Sequence, residues 1–92
     1  MMFRGMAEGQ AVYTDLLAAM PKGPRSPEVQ GCIARWHQHL RYFYEPTVQV
    51  LAGLAHAYNE DPAFRAFYLK LHPDMPEFIE EAILFYCEGL KQ

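Results

Sequence analysis

Four histidines, two cysteines and a group of glutamates are the residues here whose types could do chemistry, and their spacing argues against most of it. His37 and His39 stand two apart in a helical stretch, project roughly 200° from one another, and so cannot chelate one metal together. His56 belongs to another helical stretch and His72 to a turn, so neither a four-histidine nor a histidine–carboxylate centre is advertised by the spacing, and no metal site is expected. Cys32 and Cys87 show neither metal-ligand nor redox spacing and are expected as two buried, reduced thiols. A nucleophilic thiol needs a nearby base or a helix amino terminus. Cys87 instead falls in the last turns of its helix, where the dipole disfavours a thiolate, and Cys32 falls in an apolar helix interior. Glu77, Glu80 and Glu81 lie opposite an apolar stripe and read as a solvated face. With no glycine-rich phosphate loop, serine elbow or paired-carboxylate motif, the chain is read as a non-enzyme without catalytic residues or a cofactor.

What remains is aromatic. Trp36, Phe43, Tyr44, Tyr58, Phe64, Phe67, Tyr68, Phe78 and Tyr86 are spread over four helical stretches, with five aromatics packed between Tyr58 and Phe78. Such side chains offer large contact area with few rotors to freeze, and each buried tyrosine hydroxyl must find a partner or reach water. Any one of them serves well as core filling; the set together points to a cavity for a flat or greasy ligand. His39 is read either as lying beside that pocket or as a partly exposed histidine.

The elements that would position these residues follow from periodicity. No segment alternates as a strand does, so an all-α domain is expected. Helix one is placed at about Ala7 to Met20, with Val12, Leu16, Leu17 and Met20 on one side and Tyr13 on the flank. Pro21-Lys22-Gly23-Pro24 ends it. Ser26, Pro27 and Glu28 are a start signal, and the second helix is expected to run to about Tyr44 with Val29, Ile33, Trp36, Leu40 and Phe43 buried. Thr47 caps a third, carrying Leu51, Leu54, Ala55 and Tyr58. Asp61-Pro62 opens a fourth, to Leu71, burying Phe64, Phe67, Tyr68 and Leu71. The fifth, Met75 to Leu90, turns Met75, Phe78, Ile79, Ala82, Ile83 and Tyr86 inward. Helix one has the thinnest apolar face and is read as a lid that orders on binding.

With 92 residues, no internal repeat and no linker, residues 1–92 are expected to form a single domain. A net charge of −3, with scattered Lys and Arg, argues against direct nucleic-acid contact. No apolar run approaches the ~20 residues of a membrane span, and the first residues do not resemble a secretory signal, so a cytoplasmic location is expected.

Trp36, Phe43-Tyr44, Thr47, Gly53-Leu54, Tyr58, Asp61, Phe64, Met75, Phe78 and Ala82-Ile83 together resemble the TipAS antibiotic-recognition domain found at the carboxyl end of MerR-type transcriptional activators. The resemblance spans roughly Ala7 to Tyr86 and is carried mainly by the residues after Trp36. It implies a globin-like arrangement of about five helices around a hydrophobic cleft that takes bulky antibiotics, notably thiopeptides. In such regulators DNA is contacted through an N-terminal winged helix-turn-helix, and dimerisation runs through an upstream helix; neither lies within this sequence. A related stand-alone group sequesters drugs, and a helix-binding or dimerising module without a small ligand is a further alternative. In the thiopeptide receptor a cysteine before the leucine of the third helix captures ligand covalently; here that position is Gly53, so binding is expected to be reversible. Trp36, Phe43, Tyr44, Phe67 and Phe78 are the expected walls, with His39, Tyr58 and Tyr86 orienting the ligand.

Overall fold

Three of the helices begin where a side chain satisfies free backbone amides. In the computed structural model, which describes the backbone of residues 2–91 and the side chains of residues 10–91, α1 spans Met2–Ala19, α2 Pro27–Leu40, α3 Val48–Glu60, α4 Pro62–Leu71 and α5 Met75–Leu90. The Ser26 hydroxyl accepts from the Val29 amide at 3.2 Å, Thr47 from Val50 at 3.1 Å, and Asp61 from Ala63 at 2.9 Å. These are N-cap bonds, and a proline in the first turn of α2, α4 and α5 adds a preset φ. The fold is all-α, and no strand occurs among the described residues. The expected 1–92 domain takes in Met1 and Gln92, which lie outside them.

Two boundaries differ from expectation. The first helix begins at Met2 rather than Ala7 and gives way at Met20–Lys22 to a 3-10 turn, which closes at Gly23 with φ 97°, a conformation that favours glycine. The second helix stops at Leu40, four residues before Tyr44. There the bonding tightens to the i−3 carbonyl, with the Tyr42 amide donating to His39 and the Phe43 amide to Leu40 at 2.9 Å. Residues 44–47 then carry no regular secondary structure, and Pro46 disfavours a helical Glu45. Phe43 is consequently 71% exposed rather than buried.

The core is centred on α3 against α5, the most extensive helix contact, where Leu51 and Ala55 meet Ile79, Ala82 and Ile83. The α1 helix lies mainly on α2, and α2 and α4 pack on α5 and α3 respectively. Gln30 ties α2 to α5 by donating to the Ala82 carbonyl at 3.0 Å while also donating to Pro24. Burial matches the expected stripes of α2, α3 and α5 at Val29, Ile33, Trp36, Leu51, Ala55, Tyr58, Met75, Ile79, Ala82 and Ile83. The exception is α4, where Tyr68 is buried but Phe64 and Phe67 are nearly half exposed. On this helix only a narrow stripe turns inward, against α3 and α5. Cys32 and Cys87 are buried and unbridged, as expected.

Candidate functional site

The aromatics gather where α1, α2, α3 and α4 meet. Tyr68 of α4 is the hub, and its hydroxyl shares a 2.7 Å hydrogen bond with that of Tyr13 on α1. The Tyr58 ring lies 4.9 Å from Tyr68, tilted by 50°, and Trp36 of α2 meets Tyr58 edge-on at 6.1 Å. Phe67 stands edge-on to both Tyr13 and Tyr68, and Phe64 packs against Tyr58 at 5.3 Å. Edge-to-face pairing of this kind contributes beyond area burial, about 0.5–1.5 kcal/mol per pair.

A cavity of about 110 Å³ opens into this cluster, lined by Val12, Tyr13, Trp36, His39, Leu40 and Tyr58. A second space of about 260 Å³ adjoins it, lined by Val12, Arg35, Gln38, His39 and Tyr42. Val12 and His39 belong to both linings, the smaller space, the inner chamber, being the more apolar and the larger the more polar. His39 Nδ1 is buried there with no hydrogen-bond partner in the protein, and the ring meets Tyr42 and Phe43 edge-on. Each space alone falls short of the ~300–1,000 Å³ of a pocket that encloses a drug-sized molecule.

The chamber's electrostatics are those of neutral phenols. Burial, then the neighbouring Tyr13 hydroxyl, pushes the Tyr58 phenol up to about 12, against smaller lowering by hydrogen bonding to Trp36 and Tyr68. Burial raises Tyr68 further still and also raises Tyr13, whose bond to Tyr68 partly offsets it. Uncharged hydroxyls and ring faces suit an apolar ligand with a few polar groups. Burial also raises both thiols, which disfavours a thiolate nucleophile.

Of the eight residues expected to meet a ligand, Trp36, His39 and Tyr58 line the inner chamber together. Phe43 stands beside it against His39, and Phe67 touches its wall through Tyr13. Tyr44 is exposed beyond the end of α2. The other two lie elsewhere. Phe78 packs partly buried against the core, and the Tyr86 hydroxyl meets His37 Nδ1 at 2.8 Å, bracing α2 on α5. Burial and the nearby Arg41 lower the proton affinity of His37, with Glu45 partly opposing, which favours the neutral ring in that bond. Sequence reasoning missed Val12, Tyr13 and Leu40 as lining. Tyr13 was signalled only by its flank position on α1, one residue after an inward valine. Gly53 lies on the exposed side of α3, and a Cβ added there would meet nothing within 4 Å.

Residues 2–86 match the model of the TipAS antibiotic-recognition domain. The chain belongs to the TipAS family. The HTH-type transcriptional activator mta of Bacillus subtilis is 30% identical over 84 residues, covering 90% of this chain and 33% of that protein. The HTH-type transcriptional regulator SkgA of Caulobacter vibrioides is 31% identical over 86 residues, covering 89% of this chain and 34% of its own length. This TipAS chain thus spans about a third of the length of the curated relatives it matches. No solved structure matches it significantly. No helix among the described residues is long and apolar enough to cross a membrane.

Proposed function

We propose that this TipAS chain is a ligand-recognition domain that reversibly takes up bulky, planar, largely apolar molecules of the antibiotic class, and that in a MerR-type regulator it reports their presence to a DNA-binding part. The observation that carries the reading is the chamber bounded by Tyr13, Trp36 and Tyr58, with His39 as the polar group at its mouth. Trp36 and Tyr58 supply ring surface, His39 Nδ1 meets a polar group on the ligand, and Phe43 and Phe67 extend the wall toward solvent. Capture rests on shape and stacking, because Gly53 replaces the cysteine of a covalent receptor and both native thiols are buried. The domain is a binding module and not an enzyme, and it acts in the cytoplasm.

Trp36 is the chain's one tryptophan and is 4% exposed. Titration with thiopeptides and other planar antibiotics should therefore quench or shift its emission saturably. Phe67→Ala should weaken binding more than it lowers stability, since Phe67 is 46% exposed. Absence of any Trp36 response across the panel would overturn the reading. The exposed Tyr42, Phe43, Phe64 and Phe67 favour a second reading, a partner- or self-association surface. Sedimentation separates the two. A tight dimer indifferent to small molecules supports the second, and a ligand-responsive monomer supports the first.

A further inference from the structure

At the seam between α3 and α5, one histidine and two glutamates from different helices converge. His56 and Glu60, four residues apart, share a face of α3. Glu80 reaches toward them from α5, and one ligand atom from each residue lies within 4.8 Å of the other two. The His56 Nδ1 and Glu80 Oε2 atoms are 2.8 Å apart. Asn59 donates to the other Glu80 oxygen at 3.0 Å, which holds the carboxylate with Oε2 toward His56. Glu80 is therefore not part of a simple solvated acidic face, as its spacing from Glu77 and Glu81 suggested.

We propose that His56, Glu60 and Glu80 form a divalent-metal site of the zinc class that bridges α3 and α5. Donors at 2.0–2.1 Å around a tetrahedral zinc are separated by roughly 3.3 Å. One donor pair stands at 2.8 Å and all three lie within 4.8 Å, so the adjustment the site asks for is of side-chain size. His56 and Glu60 are exposed, which leaves room for that adjustment, with the metal replacing the His56–Glu80 hydrogen bond. The imidazole nitrogen separates this group from an ordinary carboxylate patch and favours zinc, cobalt or nickel over magnesium or calcium. Two carboxylates with a neutral imidazole balance a dication. The neighbouring cation that would compete, Arg65, is already engaged by Asn59 and by Glu77 at 2.9 Å. None of the three residues lines the aromatic chamber.

The test is titration of chelator-treated, metal-free protein with zinc chloride and, separately, cobalt chloride. Calorimetry should give one zinc per chain, with a thermal midpoint that rises with zinc concentration. Cobalt should show visible bands without the sulfur charge-transfer band that binding by Cys32 or Cys87 would produce. His56→Ala and Glu60→Gln should each weaken binding at least tenfold, with circular dichroism confirming that both fold, while His72→Ala should leave it unchanged. No binding at millimolar zinc would overturn the site, as would undiminished affinity in His56→Ala.

Discussion

The three phenols at the heart of the aromatic cluster carry both the stability and the pH behaviour of the site. Replacing Tyr13 with Phe removes one hydroxyl and deprives the buried Tyr68 hydroxyl of its 2.7 Å partner. The expected cost is about 1–2 kcal/mol, read as a lower urea midpoint at neutral pH. The folded state holds the Tyr58 proton up to about 12, against 10.0 for an unburied phenol, and holds that of Tyr68 more tightly still. Above pH 10 the unfolded chain therefore binds fewer protons than the folded one. The tyrosines' contribution is fully present below pH 10 and is lost as pH rises through about 12. Urea midpoints on either side of pH 10 should show the decline.

Among the elements, α1 is held differently from the rest. It lies mainly on α2, its neighbour in sequence, and reaches α4 through the Tyr13 contacts with Phe67 and Tyr68. Val12 and Tyr13 also line the chamber, so under the proposed function ligand entry is expected to displace α1. Amide exchange in residues 10–19 should be faster than in α3 and should slow on ligand binding; equal protection with and without ligand would refute a lid. The α1 stripe, the caps at Ser26, Thr47 and Asp61, and the starts of α4 and α5 were legible in the sequence because each is a local signal. The end of α2 was not, since nothing in Arg41-Tyr42-Phe43 breaks a helix and only the tightened turn before Pro46 stops it. The exposure of Phe64 and Phe67 was hidden for a related reason. Periodicity reports that a face is apolar, but how much of it another helix covers depends on where α4 sits.

For the molecule as a whole, five helices close one core within a Cα radius of gyration of 12.4 Å, matching the ~12 Å expected for a compact chain of this length. Family membership was legible because its signature residues from Trp36 to Ile83 fall largely on caps and inward positions. The partition of the eight expected ligand contacts was not, since Tyr86 and Phe78 face the core from α5, and no helical phase distinguishes a core from a cavity beside it. The metal triad was equally hidden, because Glu80 joins His56 and Glu60 only through the packing of α5 on α3. The burial of Cys32 and Cys87 also makes the native fold nearly silent toward thiol reagents. A single cysteine introduced as Gly53→Cys, facing open space on α3, should take up one equivalent of a maleimide dye while the wild type takes up none. The chain is thus a ready scaffold for a one-site optical reporter, with no native cysteine to remove first.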